Sequence, residues 1–295
     1  MTVESRKNPS PQTRNPCAIE LSGLPGLLPL YARAVLGRHH GTGLPTTEVV
    51  LREQAIDPEH VVAYQRTCGF RVRDVLPPTY LHLLAFPLAV SVMVEPEFPF
   101  PVVGLLHLAN VIEHRRPVRM DELVSISART ADLRAHHAGR TVDLIAEATV
   151  GDETVWRERS TYLRRERRSG PRPPRVAANP PYGPVIRIRV PADIGRRYAG
   201  LSGDRNPIHL HPLAARVFGF QRAIAHGMWL EARALAAVEA RLPEAFTVDV
   251  TFKAPVPLPS TLSLVAVRDG DAWRLDVRSA RSGKPHMTGS VTPGS

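Results

Sequence analysis

The sequence predicts an α+β protein built from two similar units, and three features support that prediction. Helix-like apolar segments alternate with runs of β-branched residues, first over residues 46–165 and again over residues 185–295. A basic stretch rich in Pro and Gly, residues 166–184, separates them as a predicted linker. The 295 residues are enough for one large domain or two of about 150 residues.

Residues 1–45 are predicted to be a tail followed by a short helix. The opening MTVESRKNPSPQTRNP is polar and lacks the apolar core of a signal peptide, which is typical of a disordered tail. Leu24 to Leu36 is apolar but interrupted by Pro25 and Pro29, and it is shorter than the roughly 20 residues that a membrane-spanning helix needs. We predict a short helix packed on the domain, with a peripheral membrane contact as the alternative.

The first unit, residues 46–165, is predicted to hold one long buried helix among strands. The apolar run at 78–94 indicates that helix, kinked or broken near Pro87. Asp57-Pro58 resembles a helix start, because Pro suits the first helical position. Gly151-Asp152 suggests a hairpin turn between two strands. The predicted strands are 47–51, 123–128, 141–150 and 154–163.

The second unit, residues 185–295, begins with a strand and then carries the most informative stretch of the chain. This stretch, Tyr198 to His209, reads YAGLSGDRNPIH. Gly203, Asn206 and Pro207 predict a rigid loop rather than a helix, because Gly permits unusual φ values and Pro locks φ. Asp204 is an acceptor at pH 7 and His209 can take or give a proton, so the loop predicts an acid/base pair.

A second motif, IAHGM, spans Ile224 to Met228. The WLEARALAAVEARL that follows is rich in helix formers and free of Gly and Pro until Pro243. Gly227 should therefore stand at a helix N-terminus, where unpaired N–H groups and a positive dipole suit a developing oxyanion. The predicted strands of this unit are 185–190, 246–252, 261–268, 273–279 and 285–292.

YAGLSGDRNPIH followed by IAHGM resembles the hydratase-2 motif of the MaoC-like (R)-specific enoyl-thioester hydratases, which have the hotdog fold. The resemblance implies that Asp204 and His209 are catalytic and that Gly227 supplies an oxyanion-hole N–H. It also implies a supporting loop. The residues of that loop are Ser202, Gly203 and Asn206.

The two units match each other when the first is shifted by 134 positions, which places Tyr64 on Tyr198 and Gly69 on Gly203. Phe70 then falls on Asp204, so the first copy has lost the catalytic residues. In double-hotdog members of the resembling family, two antiparallel sheets pair edge to edge, each wrapped around a long central helix. We therefore predict a degenerate N-terminal hotdog at 46–165 and a catalytic one at 185–295.

These residues also allow other interpretations. Asp204 could only cap its own turn, as Asp commonly does in such loops. His209, His211 and His226 could suggest a metal site, but no carboxylate-rich or Cys-bearing set accompanies them, so we predict no metal and no other cofactor. Ser202 lies outside any GxSxG motif, which does not favour a serine hydrolase.

The net charge and the cysteine content indicate what the protein can bind and in which compartment it is expected. The net charge of +10 is partly concentrated in the linker, without a nucleic-acid-binding motif or aromatic interleaving, so we predict no nucleic acid partner. A basic protein also attracts coenzyme A or an acidic acyl carrier protein. Two cysteines provide no disulfide framework, which favours a reducing, cytoplasmic location.

The resemblance implies an (R)-specific 3-hydroxyacyl-thioester dehydratase, or the reverse enoyl-thioester hydratase, of fatty-acid metabolism. Its substrate would be an acyl-CoA or an acyl carrier protein thioester, and the protein would be a monomer or homodimer without stable membrane insertion. A hotdog acyl-thioesterase and a non-catalytic acyl-thioester-binding protein are the alternatives. A nucleic-acid binder ranks last, and salt-dependent binding to any duplex would identify it.

Overall fold

The computed structural model describes residues 17–36, 41–166 and 182–294. The predicted tail at 1–16 and most of the predicted linker, residues 167–181, lie outside the described residues. The strands are β1 (Cys17–Leu21), β2 (Thr47–Gln54), β3 (Leu106–His114), β4 (Val124–His136), β5 (Gly139–Val150), β6 (Glu153–Arg165), β7 (Val185–Val190), β8 (Phe246–Phe252), β9 (Ser260–Asp269), β10 (Ala272–Ser279) and β11 (Pro285–Pro293). The α-helices are α1 (Leu27–Leu36), α2 (Pro58–Cys68), α3 (Leu81–Met93), α4 (Ile194–Ser202), α5 (Pro207–Leu210), α6 (Pro212–Val217) and α7 (Gly227–Ala236).

All eleven strands form one sheet in the order β1-β2-β4-β5-β6-β3-β8-β11-β10-β9-β7. The N-terminal strands occupy one side and the C-terminal strands the other, and they meet where β3 pairs with β8. Ala109 stands opposite Thr251, and His114 opposite Phe246. The two predicted sheets are thus a single sheet joined edge to edge. It is mixed rather than wholly antiparallel, because β1 runs parallel to β2.

Helix α3 is the long apolar helix predicted in the first unit. It packs against β2, β4 and β5 and is buried over nearly its whole length. It continues through Pro87 instead of breaking there, and the Ser91 hydroxyl donates to the Pro87 carbonyl at 2.9 Å. Packing on all sides can stabilise a helix that lacks one backbone hydrogen bond, which explains why the proline is tolerated.

The stretch predicted as a rigid loop over 198–209 is mostly helical, which corrects that prediction. Helix α4 includes Tyr198 to Ser202, and α5 begins at Pro207, so only residues 203–206 form a loop. Pro207 occupies the first helical turn, where its fixed φ is already suitable. The Asn206 side chain accepts from the Ile208 N–H at 3.4 Å and caps that turn.

The two halves share one apolar core rather than lying side by side. Tyr64 of α2 is fully buried and contacts Tyr198 of α4 with ring centroids 6.2 Å apart. Trp229 of α7 donates its indole N–H to the Thr67 carbonyl of α2 at 3.1 Å. Helix α7 ends at Ala236, short of the predicted end near Pro243, and a 3-10 turn follows it. A cavity lined by residues of both halves remains between these packed helices.

Helix α1 is the short helix predicted near the N-terminus. It buries Leu27, Leu30 and Ala34 in the core, and it leaves Leu28 and Leu36 exposed. None of the helices in the described ranges is long and apolar enough to cross a membrane.

Candidate active site

The turn between α4 and α5 places the first predicted catalytic residue. Gly203 ends α4 with φ of +69°, a left-handed conformation that favours glycine. The buried Ser202 hydroxyl donates to the Tyr198 carbonyl at 3.0 Å and accepts from the Asp204 N–H at 3.2 Å. These contacts reverse the chain within a few residues and fix the backbone of Asp204.

The carboxylate of Asp204 uses its two oxygens differently. Oδ1 accepts from the Asn206 N–H at 3.1 Å and from the Tyr31 hydroxyl at 2.8 Å. Oδ2 has no hydrogen bond from any described residue and lies 3.7 Å from Nε2 of His226. Burial alone would raise the pKa of Asp204, but His226, His209 and the bonds from Tyr31 and Asn206 hold that pKa below its ordinary value. Asp204 is therefore an ionised base with one oxygen available.

The imidazole of His209 is fixed in one tautomer. Its Nδ1 lies 2.8 Å from the Ile224 carbonyl, and since a carbonyl only accepts, Nδ1 carries the proton. Burial lowers the pKa of His209, and the nearby carboxylate of Asp204 offsets this only in part. The ring is neutral at pH 7, and its Nε2 is a base.

His226 lies between the two motifs and stacks on His209 with ring centroids 3.7 Å apart. Its Nε2–H donates to the Asp204 backbone carbonyl at 3.0 Å. Burial, reinforced by His209, lowers the pKa of His226 to about 3, so this ring is also neutral. His226 thus packs against one base and holds the backbone of the other. From the sequence alone, His226 was considered only as a possible metal ligand.

Gly227 is the first residue of α7, as predicted. Its backbone N–H has no acceptor within the described part of the chain, as expected at a helix N-terminus. A Cβ at this position would lie 3.1 Å from the ring of Phe252, so the glycine lets that ring pack closely. The unpaired N–H at the positive end of the helix dipole suits a developing negative charge.

One cavity of about 240 Å³ joins these groups. Asp204, His209 and Gly227 line it, and so do Ser202 and Asn206. Gly203 does not line it and contributes through its backbone conformation instead. The structure therefore brings five of the six predicted site residues together at one surface.

Other lining residues were not found from the sequence. Tyr31 contacts Asp204 from 173 positions away, and no local pattern marks such a contact. His82, His107 and Tyr162 line the cavity from the N-terminal half. His226 stands next to Gly227 in the IAHGM motif, and that adjacency was the available signal.

Three of these residues could hold a metal ion. Asp204, His209 and His226 each offer a ligand atom, and those atoms lie within 4.8 Å of one another, the one such group in the described ranges. Three donors would leave a position open, as catalytic zinc sites do. His209 and His226 were considered together as possible ligands from the sequence, but without Asp204, and the absence of a metal stays a prediction.

A sheet shared by two halves, with two bases and a helix N-terminus at one cavity, fits the double-hotdog fold that the motifs predicted. Residues 175–289 match the family model of the MaoC like domain. The chain is 39% identical over 275 residues to 3-hydroxyacyl-thioester dehydratase X of Mycobacterium tuberculosis, covering 92% of this chain and 98% of that relative. The chain belongs to the MaoC-like family, which confirms the resemblance carried by the motifs.

Solved structures agree with this assignment. The crystal structure of HtdX from Mycobacterium tuberculosis superposes with a TM-score of 0.75 at 36% identity, covering 84% of this chain and 100% of that one. A MaoC-like dehydratase from Phytophthora capsici has a TM-score of 0.68 at 17% identity, over 85% of this chain and 96% of that one. The second comparison concerns the fold alone.

Proposed function

We propose that this protein is a 3-hydroxyacyl-thioester dehydratase, which in reverse hydrates a trans-2-enoyl thioester. The observation that carries the proposal is the juxtaposition of two bases, Asp204 and His209, with the unpaired N–H of Gly227 in one cavity. The name of its relative in Mycobacterium tuberculosis, at 39% identity over most of both chains, supports the same activity.

The proposed chemistry follows from the protonation states. In hydration, water adds its oxygen to C3 while one of the two bases, Asp204 or His209, removes a proton from it. The group that took the proton is then an acid, and C2 receives a proton from the site. The thioester oxygen is enolate-like in between, and the Gly227 N–H stabilises it. Dehydration follows the same steps backwards.

The carrier of the acyl group is proposed to be coenzyme A or an acyl carrier protein. Arg165 and Lys253 are exposed, line the cavity and form no ion pair with any described residue. Two cations from opposite halves suit the phosphates of either carrier. (R)-stereochemistry, a cytoplasmic location and a monomer or homodimer are part of the same proposal, and the resemblance to the family supports them.

The division of the chain is also proposed. We take residues 46–165 as a degenerate hotdog with α3 as its central helix, and residues 185–295 as the catalytic hotdog around α7. Support comes from the packing of α3 on β2, β4 and β5 and from the buried side chains along α7. Residues 166–184 are the proposed linker.

The experiment that tests the function follows the loss of enoyl-thioester absorbance when the protein meets trans-2-enoyl-CoA. We expect Asp204→Asn and His209→Gln each to lower kcat by about two to four decades, because each removes one proton-transfer group. His211→Gln is the matched control, since this histidine is exposed and caps α6 outside the cavity. Near-wild-type turnover in either site variant contradicts the assignment.

The same assay separates the alternatives. A hotdog thioesterase would release free thiol, which a thiol reagent detects alongside the absorbance. A non-catalytic acyl-thioester-binding protein would bind the same ligand without loss of absorbance. The available Oδ2 of Asp204 and Nε2 of His209 favour the dehydratase over both.

A further inference from the structure

The cavity wall in the N-terminal half carries a buried polar group that the proposed chemistry does not use. Glu158 of β6 and His82 of α3 are hydrogen-bonded to each other, with Nδ1 of His82 2.9 Å from both carboxylate oxygens. The side chains are 9% and 4% exposed for His82 and Glu158. Asn110 of β3 donates to the same carboxylate. We call His82, Asn110 and Glu158 the polar wall.

The polar wall is charged at neutral pH. Burial by itself would raise the pKa of Glu158, but His82 and the hydrogen bonds from His82 and Asn110 hold that pKa below its ordinary value. The carboxylate therefore remains ionised and accepts from Nδ1–H of His82. This contact orients the imidazole, and the opposite edge of the ring is left for another partner.

That opposite edge has no partner in the protein. Nε2 of His82 makes no hydrogen bond with any residue in the described ranges, and His82 lines the cavity. His107, whose ring lies parallel to that of His82 with centroids 6.5 Å apart, also lines the cavity, and its Nε2 is buried without a partner. A buried nitrogen without a partner, such as Nε2 of His107, is uncommon because it is destabilising, and beside it Nε2 of His82 lies at the same cavity wall, so the pair points to a ligand.

The position of this wall indicates which part of a ligand it meets. The ring of Phe252 packs against Gly227, the proposed oxyanion donor, and its centroid lies 4.9 Å from that of His107. Phe252 thus links the Gly227 site to His107, and the ring centroid of His82 lies 6.5 Å from that of His107. Phe86, Met93 and Leu105 make the neighbouring lining apolar. An acyl chain whose thioester lies at Gly227 and whose tail runs along this lining would meet both the apolar side chains and the two imidazoles.

We propose that the acyl chain of the preferred substrate carries an oxygen function, a hydroxyl or keto group, beyond C4, which hydrogen-bonds to His82 and His107. The proposal rests on the proposed dehydratase function and specifies its substrate class. An unsubstituted chain leaves both nitrogens unpaired against methylene groups. A hydroxyl or keto oxygen provides a hydrogen-bond partner for at least one of them. A site built from such buried polar groups binds a ligand with the matching polar group much more tightly than a ligand that lacks it.

The test compares trans-2-decenoyl-CoA with analogues of the same length that carry one hydroxyl or keto group at successive carbons beyond C4. We expect wild type to hydrate at least one analogue with a kcat/KM about tenfold or more above that of the plain chain. His82→Phe, which fills the same space without the polar edge, should abolish this preference. Glu158→Gln keeps the side-chain shape, removes the charge and should weaken the preference.

His114→Phe is the matched control, because His114 is buried in β3 of the same half but does not line the cavity. It should retain the wild-type preference. The proposal is overturned if wild type favours the plain chain over every analogue, or if His82→Phe keeps the wild-type ratio.

Binding of the same thioesters, measured by calorimetry, separates this proposal from the proposed function. If no thioester is hydrated, the dehydratase assignment fails. The Kd ratio between substituted and plain chains then decides the substrate class. A ratio that favours an oxygenated chain in wild type and disappears in His82→Phe supports the polar wall as a specificity site, and equal Kd values overturn it.

Discussion

Asp204 shows how one residue can serve both interpretations considered from the sequence. Its Oδ1 accepts from the Asn206 N–H at 3.1 Å, which is the local turn contact that a purely structural Asp would make. Its Oδ2 takes no part in that turn and is available for chemistry. The structural contact therefore positions the carboxylate for its proposed role instead of replacing that role.

Tyr31 is predicted to tune the same carboxylate. Its hydroxyl donates to Oδ1 at 2.8 Å and helps to keep the pKa of Asp204 low. The ionised form is the active one, so activity falls as the pH drops through this pKa. Removing the donor in Tyr31→Phe raises the pKa, and the acidic limb of the kcat/KM profile should move to higher pH. A loss of about tenfold at neutral pH is also expected.

The measurement is the pH dependence of enoyl-CoA hydration for wild type and Tyr31→Phe. Tyr182→Phe provides the control, since Tyr182 is fully exposed and does not line the cavity. An acidic limb that stays at the same pH in Tyr31→Phe would show that Tyr31 has no influence on Asp204.

At the scale of elements, the glycine that ends α4 lets α1 pack closely against the turn that carries Asp204. A Cβ at Gly203 would stand 2.5 Å from Cδ1 of Leu27, and the φ of +69° is unfavourable for other residues. Gly203→Ala should destabilise the protein by about 1–2 kcal/mol and push α1, with Tyr31, away from Asp204. Urea unfolding and the hydration assay measure the two effects.

Gly200 offers a control one turn earlier on the same helix. It is exposed, and nothing lies within 4 Å of the place where its Cβ would be. Gly200→Ala should therefore stabilise α4 by up to about 1 kcal/mol through helix propensity, with activity retained. Equal stability changes for the two substitutions would rule out the docking contact between Gly203 and Leu27.

Elements with strong local signals could be predicted, and elements defined by distant pairing could not. β8 was predicted with its observed ends because FTVDVTF alternates buried and less buried positions. β3 was missed because LHLANVIEH mixes polar and apolar residues without regular alternation, and its strand character depends on pairing with β6 and β8. β1 was missed for the same reason, since its described partner is β2.

At the scale of the whole molecule, the residues of the candidate site also fall into those that a local motif predicts and those that only the fold brings to the cavity. Asp204, His209 and Gly227 lie within one short segment, so a motif could place them together. Tyr31 and the polar wall reach the cavity only because α1 and the N-terminal half fold onto that segment. The N-terminal half, which we propose to be degenerate, thus supplies one side of the cavity, and the proposed selectivity lies there.

The folded molecule also buries several imidazoles in neutral form. Burial lowers the pKa of His226 and His107 to about 3 and that of His114 to about 4. In the unfolded chain each has an ordinary pKa of about 6.5. Below that pH the unfolded chain binds protons that the folded protein excludes, so this contribution to stability is complete above pH 6.5 and is lost as the pH falls towards 4.

We therefore expect the free energy of unfolding to decrease from pH 7 to pH 5 by about 2 kcal/mol for each of these histidines. Asp204 and Glu158 have lowered pKa values, so their contribution is lost only near and below the ordinary carboxyl pKa of about 4. Glu231, whose pKa burial raises, offsets part of the decrease in this window, because the folded protein keeps its proton while the unfolded chain releases it. Urea unfolding at a series of pH values measures the slope. In His114→Phe the decrease should be smaller by about the contribution of one histidine. An equal decrease in wild type and His114→Phe would mean that the His114 ring accepts a proton in the folded state.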